Sequence, residues 1–211
     1  MKTKGMGIAL LSAAALLGSA AANAELSWTY GEIAYNTADG TDDFETDAFD
    51  LKASVGFLDM WHASLLYIDG DSDSVDFDGY RAVVGAHPQL GPNTQLITDL
   101  TYVDYDLDGS EGGADGIGVG FGIRHALTDK FEMLGQIWYV DGDVDDGFSE
   151  ESFNDTTVEI SGRYNWTGNI STGLSVFLNG YPGLASGLGS SSLGDVLRLD
   201  ARFTFGGELS K

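Results

Sequence analysis

Four carboxylates near the middle of the chain have the spacing of a calcium ligand set. Asp104, Asp106, Asp108 and Gly109 spell D-x-D-x-D-G, the opening half of an EF-hand loop, and Asp115 stands at its twelfth position. Alternate carboxylates suit a hard cation because a short stretch of chain can aim several oxygens at it. Asp115 is shorter than the bidentate glutamate usual there, and Glu111 stands at the eighth position, where an aliphatic residue is usual. The expectation is therefore Ca²⁺ at an acidic loop, not a true EF-hand. Asp141, Asp143 and Asp145 repeat the spacing. No other cofactor is expected.

A second set of ionic residues follows a different rule. Lys52, Arg81, Arg124, Arg163, Arg198 and Arg202 alternate with small or apolar neighbours, as do Glu32, Asp50, Asp99, Glu132, Glu159 and Asp200. Charges of both signs on one face of neighbouring strands can pair with each other, which suits an enclosed lumen better than open water. Catalysis has little support. The chain has no cysteine, and its three histidines, His62, His87 and His125, lie near short turns with no visible nucleophile–base pairing. No enzymatic activity is expected.

Ten alternating segments position these groups. The odd residues Phe49, Leu51, Ala53, Val55 and Phe57 are apolar or small, against Asp50, Lys52, Ser54 and Gly56. The same period of two recurs at Ile117–Arg124, Val158–Trp166 and Leu197–Phe205, and more weakly near Leu26–Tyr35, Trp61–Ile68, Asp78–Ala86, Thr94–Tyr105, Phe131–Val140 and Ile170–Asn179. A break of phase near Gly31 predicts a bulge in the first strand. Gly116, Gly118, Gly120 and Gly122 form the small face of one strand, leaving room for neighbours such as Trp138. Tight turns alternate with longer acidic connections. Residues 37–47, 69–78, 104–115 and 141–155 hold 22 of the 33 acidic residues and no lysine or arginine. A fifth long connection spans 181–195.

Residues 1–24 have Lys2 and Lys4, an apolar stretch from Ile8 to Leu17 and an Ala22-Asn23-Ala24 cleavage pattern, so they read as a signal peptide. The net charge of −23 argues against nucleic acid as a partner. Aromatics gather near strand ends: Phe57, Trp61, Phe131, Tyr164, Trp166, Phe203 and Phe205 at the tight-turn end, and Tyr35, Tyr67, Tyr80, Tyr102, Tyr105 and Tyr139 at the other. Two such belts match the two interfaces of a membrane.

The final strand alternates Leu197, Leu199, Ala201, Phe203 and Phe205 up to an aromatic. With this ending the chain resembles the small bacterial outer-membrane β-barrel proteins, the porin-type group that includes OmpA and OmpX. The resemblance implies that Phe203 and Phe205 form the signal read by the barrel-assembly machinery, although Gly206–Lys211 follow here. The expected architecture is an all-β, antiparallel, up-and-down transmembrane barrel of about ten strands, with eight as the alternative. It would occupy residues 25–205, after a cleaved signal peptide at 1–24 and before a tail at 206–211. The expected location is the bacterial outer membrane, with lipid and lipopolysaccharide as surroundings and a monomer as the unit. Three functions fit: a porin-type barrel with a narrow, cation-favouring pore; a non-conducting structural or adhesion barrel using its acidic loops, with or without Ca²⁺; and a soluble secreted β-protein.

Overall fold

The computed structural model describes residues 26–39, 45–72, 75–107, 112–145, 150–183 and 194–205. The signal peptide at 1–24, the tail at 206–211 and Asp108 lie outside the described residues. The strands are β1 (Tyr30–Asp39), β2 (Glu45–Phe57), β3 (Trp61–Ser72), β4 (Val75–Ala86), β5 (Gln89–Gly91), β6 (Thr94–Leu107), β7 (Gly112–Ala126), β8 (Phe131–Asp145), β9 (Glu150–Asn165), β10 (Ile170–Leu178) and β11 (Val196–Thr204). Each long strand pairs antiparallel with its chain neighbours, β1 pairs with β11, and β4 pairs with β6 across the short β5. The sheet therefore closes into a ten-stranded barrel, with β5 a short flap at the tight-turn end. Eight strands would leave two of the alternating segments unpaired.

Closure runs in register from Tyr30↔Thr204 to Ala38↔Val196. The first strand differs from the sequence expectation. It begins at Tyr30, runs to Asp39, and passes Gly31 without a register shift on either side. The change of phase in the sequence has another cause: Trp28 and Tyr30 turn inward and are buried, whereas Tyr35 faces out. Three of the tight turns are as expected. Leu58 and Asp59 take positive φ of 51° and 62° between β2 and β3, a primed hairpin turn. Thr128 and Thr167 each accept two backbone N–H bonds in the turns after β7 and β9.

The acidic connections are shorter than expected. The strands continue through most of them, so that β8 and β9, for example, are paired up to Asp145↔Glu150. Aspartates and glycines break the apolar pattern there, but antiparallel pairing needs only backbone groups and persists. A strand needs about 9–11 residues to span a bilayer. The 13 to 16 residues of β2, β7, β8 and β9 exceed that.

The wall is apolar outside and mostly polar inside. Leu51, Leu65, Leu100, Ile117, Phe121 and Ile137 are each more than half exposed on the outer face. The inner face divides into two layers. At the long-loop end Ile68, Phe77, Val103, Tyr105, Val140 and Phe177 form a buried apolar cluster. Tyr105 thus belongs to the interior and not to the outer aromatic belt. Nearer the turns lie the buried charges.

Candidate functional site: the barrel lumen

Every ionic residue expected in the lumen faces inward, and four carboxylates and four arginines join in one network. Glu32 on β1 lies at its centre. Its oxygens accept from Arg163 Nη2 at 2.9 Å, Arg198 Nη2 at 2.8 Å and Arg202 Nε at 2.7 Å. Arg198 also donates to both oxygens of Asp50, from Nε at 2.9 Å and Nη2 at 2.8 Å. Asp200 lies 2.7 Å from Arg163 Nη2 and 3.4 Å from Arg198 Nη1. Glu132 accepts two bonds from Arg124 Nη2, at 2.9 and 2.8 Å, and approaches Arg163 Nε at 3.4 Å. Adjacent strands bring these groups together because inward positions lie directly opposite: Glu32↔Arg202 on β1 and β11, and Glu132↔Arg163 on β8 and β9. Gly173 on β10 leaves the space that Asp200 and Arg163 fill.

The other four expected members stand outside this carboxylate–arginine network. Lys52 lies over the Tyr30 ring, 5.7 Å from its centre. Arg81 lies between the rings of Trp138 and Tyr181, 5.1 Å from each centroid, with Glu159 beside it. Glu159 accepts from Ser161 Oγ at 2.9 Å and Trp138 Nε1 at 3.4 Å. Asp99 meets a histidine and an amide instead of an arginine. His62 Nε2 lies 3.1 Å from Asp99 Oδ1, and Gln136 Nε2 donates to Asp99 Oδ2 at 2.6 Å. The reason is position: Asp99 stands near the turn end of β6, where the facing residue on β4 is Gly85. That glycine leaves no space for a Cβ beside Asp99 and His62.

A plug at the turn end was not legible as such in the sequence. Trp28, just before β1, stacks on His62 at 4.0 Å and on His87 at 4.7 Å between centroids. Its indole N–H donates to Gln95 Oε1 at 3.0 Å. The Nδ1 atoms of His62 and His87 lie 3.2 Å apart, so either ring can supply the shared proton. His87 lies in the turn between β4 and β5. Burial first, then the neighbouring His62 and Arg124, lower its pKa to about 4. His125 instead contacts Thr94 Oγ1 at 2.8 Å. The only sequence sign of this cluster was the grouping of Trp28, His62 and His87 near one end.

The long-loop end carries a second inward element. After β10 the chain turns at Asn179 and Gly180, both at positive φ, and enters the barrel. Tyr181 is buried against Phe177, with ring centroids 4.8 Å apart. Pro182 O accepts from Tyr105 Oη at 3.1 Å, and Gly183, at φ 80°, lies against Val103.

The calcium candidates are placed differently from the expectation. Asp104 and Asp106 are residues of β6 and Asp115 of β7, with Asp104 directly opposite Asp115. Residues 104–107 and 112–115 are paired strand as far as Leu107↔Gly112, and residues 108–111 between them lie outside the described residues. Asp104 accepts from Tyr80 Oη at 2.7 Å and Tyr102 Oη at 3.2 Å. Among the described residues no three acidic or histidine side chains form a metal cluster. Aspartates do form cross-strand rows on the outer face: Asp47↔Asp71↔Asp76, and Asp104↔Asp115↔Asp143. Phe203 and Phe205 face outward with their rings 5.0 Å apart, edge to face.

No protein family matches the chain, and no curated protein does. Among solved structures, the crystal structure of an outer membrane channel from Pseudomonas putida F1 matches 90% of this chain and 100% of its own, with a TM-score of 0.52 and 9% identity. The KdgM porin matches 83% of this chain and 99% of its own, with a TM-score of 0.44 and 12% identity. The Pseudomonas channel thus shares the closed antiparallel barrel fold of this chain.

Proposed function

We propose that the protein is a porin-type barrel of the bacterial outer membrane, exported through the periplasm as a monomer. Its passage is narrow, closed in this conformation, and preceded by an acidic rim that gathers cations. The observation that supports this is the inverted wall. Leu100, Ile117 and Phe121 are 60–64% exposed, while Glu32, Asp50 and Arg198 are at most 6% exposed. That arrangement is costly in water and natural in lipid. Trp28, His62 and His87 close the lumen at the turn end, and the Tyr181 segment with the apolar cluster closes it at the loop end. We read the Asp99–His62–His87 line as structural and not catalytic, since Trp28 covers it. Phe203 and Phe205 end the closing strand and suit recognition by the assembly machinery.

Planar-bilayer recording tests the reading. Wild-type protein is expected to give no steps, or small ones preferring cations. Replacing Tyr181–Gly183 by a short flexible linker is expected to enlarge them. Large anion-preferring steps from the wild type would contradict the proposal. Silence from both proteins would favour a non-conducting structural or adhesion barrel. One observation favours a Ca²⁺-dependent form of that second reading. The aspartate rows place like charges directly opposite each other, which is destabilising without a counter-ion. Divalent ions shared with lipopolysaccharide phosphates would relieve them. A calorimetric Ca²⁺ titration of the folded barrel in detergent, without saturation at millimolar ion, would remove it.

A further inference from the structure

The segment that closes the turn end of the lumen is seated on two histidines. Ser27 and Trp28 precede β1. Thr29, next in the chain, is anchored to the wall: its carbonyl accepts from Phe205 N at 3.0 Å and its hydroxyl from Gly56 N at 3.1 Å. Beyond that anchor the segment is held from the lumen. Arg124 Nη1 donates to the Ser27 carbonyl at 3.1 Å, and Gln95 accepts from the Trp28 indole. The larger contact is with the imidazoles of His62 and His87. Both stack at 19° to the indole plane and meet each other through Nδ1. Their centroids are 5.4 Å apart, too close for the two rings to lie on opposite faces of the indole. They form one floor beneath it, and all three residues are buried.

That floor takes a limited number of protons. Two Nδ1 atoms 3.2 Å apart share one proton, donated by whichever ring carries it. One added proton fits, because the pair then has a single positive charge and Asp99 on β6, 3.1 Å from His62 Nε2, balances it. A second places N–H against N–H and charge against charge. Among the described residues, the other charged groups facing the pair give no relief. Arg124 on β7 is itself a cation over the Trp28 ring, and Glu132 on β8 is bound to Arg124 through both oxygens. Directly opposite His62, β2 and β4 present Gly56 and Gly85. A buried charge without a counter-charge favours water, and His87 can reach it because it lies in the turn between β4 and β5. We propose that Trp28 is an acid-released plug: protonation of both histidines parts their rings and frees Ser27–Trp28 from the turn end of the lumen. The pKa of His87 is about 4 with the plug seated, against an ordinary 6.5. Acid therefore favours the released segment on the order of 10²-fold as pH falls through that window. The release stands on this contact alone, whereas the opening of a passage rests on the porin reading.

The test uses full-length mature protein folded in detergent. The chain has no cysteine, so Leu26→Cys with Lys130→Cys, in the turn after β7, takes two nitroxide labels. Their separation is read by pulsed electron paramagnetic resonance on samples frozen between about pH 7 and about pH 3.5. A single short distance is expected at neutral pH, replaced reversibly by a long, broad distribution in acid. In His87→Gln the short distance is expected to persist through the same range. A second label pair, Lys130→Cys with Gly168→Cys, spans two turns of the wall and is expected to keep its distance, a control that needs no histidine variant to fold. A Leu26 distance that does not respond to acid, or an acid change equally large in His87→Gln or in the wall pair, would overturn the proposal. Planar-bilayer recording over the same pH steps, with Tyr181–Gly183 replaced by the linker, separates the two readings. Release without current upholds the plug and counts against conduction. Acid-induced current without release upholds conduction and overturns the plug.

Discussion

Glu32 meets three guanidinium groups with one carboxylate, and its side chain is 1% exposed. Removing its charge while keeping its shape leaves Arg163, Arg198 and Arg202 competing for Asp200, Asp50 and Glu132. Breaking a buried ion network on one side costs about 3–5 kcal/mol. Glu32→Gln is therefore expected to lower the unfolding free energy of the barrel by that order and move the urea midpoint down accordingly, checked by equilibrium unfolding in detergent. His87 gives a pH dependence of definite sign. Its pKa falls from the ordinary 6.5 to about 4 in the fold. Its stabilising contribution is complete above pH 6.5 and is lost as pH falls through 4, because the unfolded chain takes up the proton first. The unfolding midpoint should decline across that window more steeply in the wild type than in His87→Gln. At this scale the sequence revealed which groups face inward, since alternation is a property of each strand. It did not reveal the partners. Asp99 finding His62, and Arg81 finding Tyr181, depend on which strands become neighbours and on a segment after β10 that has no period.

The strands were legible because the apolar outer wall of the barrel takes a residue at every second position. Their ends were less so. Above the tyrosines the outer face turns acidic, and the alternation fades although the pairing continues to Asp39↔Glu45 and Asp145↔Glu150. The first strand starts later than its sequence pattern suggests, because Trp28 and Tyr30 are aromatic yet point inward. The glycine face of β7 does leave room for Trp138. A Cβ on Gly120 would lie 2.8 Å from atoms of the Trp138 ring, whereas one on outward Gly135 would meet nothing within 4 Å. Gly120→Ala is expected to cost about 1–3 kcal/mol through overpacking, and Gly135→Ala less than about 0.5 kcal/mol. Both can be read from the same unfolding curves. The outer face makes a separate prediction. Phe121 lies near the middle of β7 and is 60% exposed. Phe121→Arg should cost about 2–4 kcal/mol if that surface meets the centre of a bilayer, and next to nothing if it meets water.

For the whole molecule, closure through β1 and β11 removes every edge of the main wall. What the barrel encloses then determines what can pass. Among the described residues, four buried arginines with four carboxylates, a tryptophan–histidine cluster at one end and Tyr181 at the other surround a cavity of about 80 Å³. The charge of −23 is distributed on the same plan. The bases are mostly spent inside, and most of the acids stand on strand extensions and connections at one end. All of this rests on the apolar face being the outside of the barrel in a membrane. Heat-modifiability of the protein in isolated outer membranes tests that most directly. The protein is expected to need detergent for extraction, and its unheated form to run apart from its boiled form on a denaturing gel. Recovery in the aqueous fraction without detergent, with identical mobility before and after boiling, would contradict it.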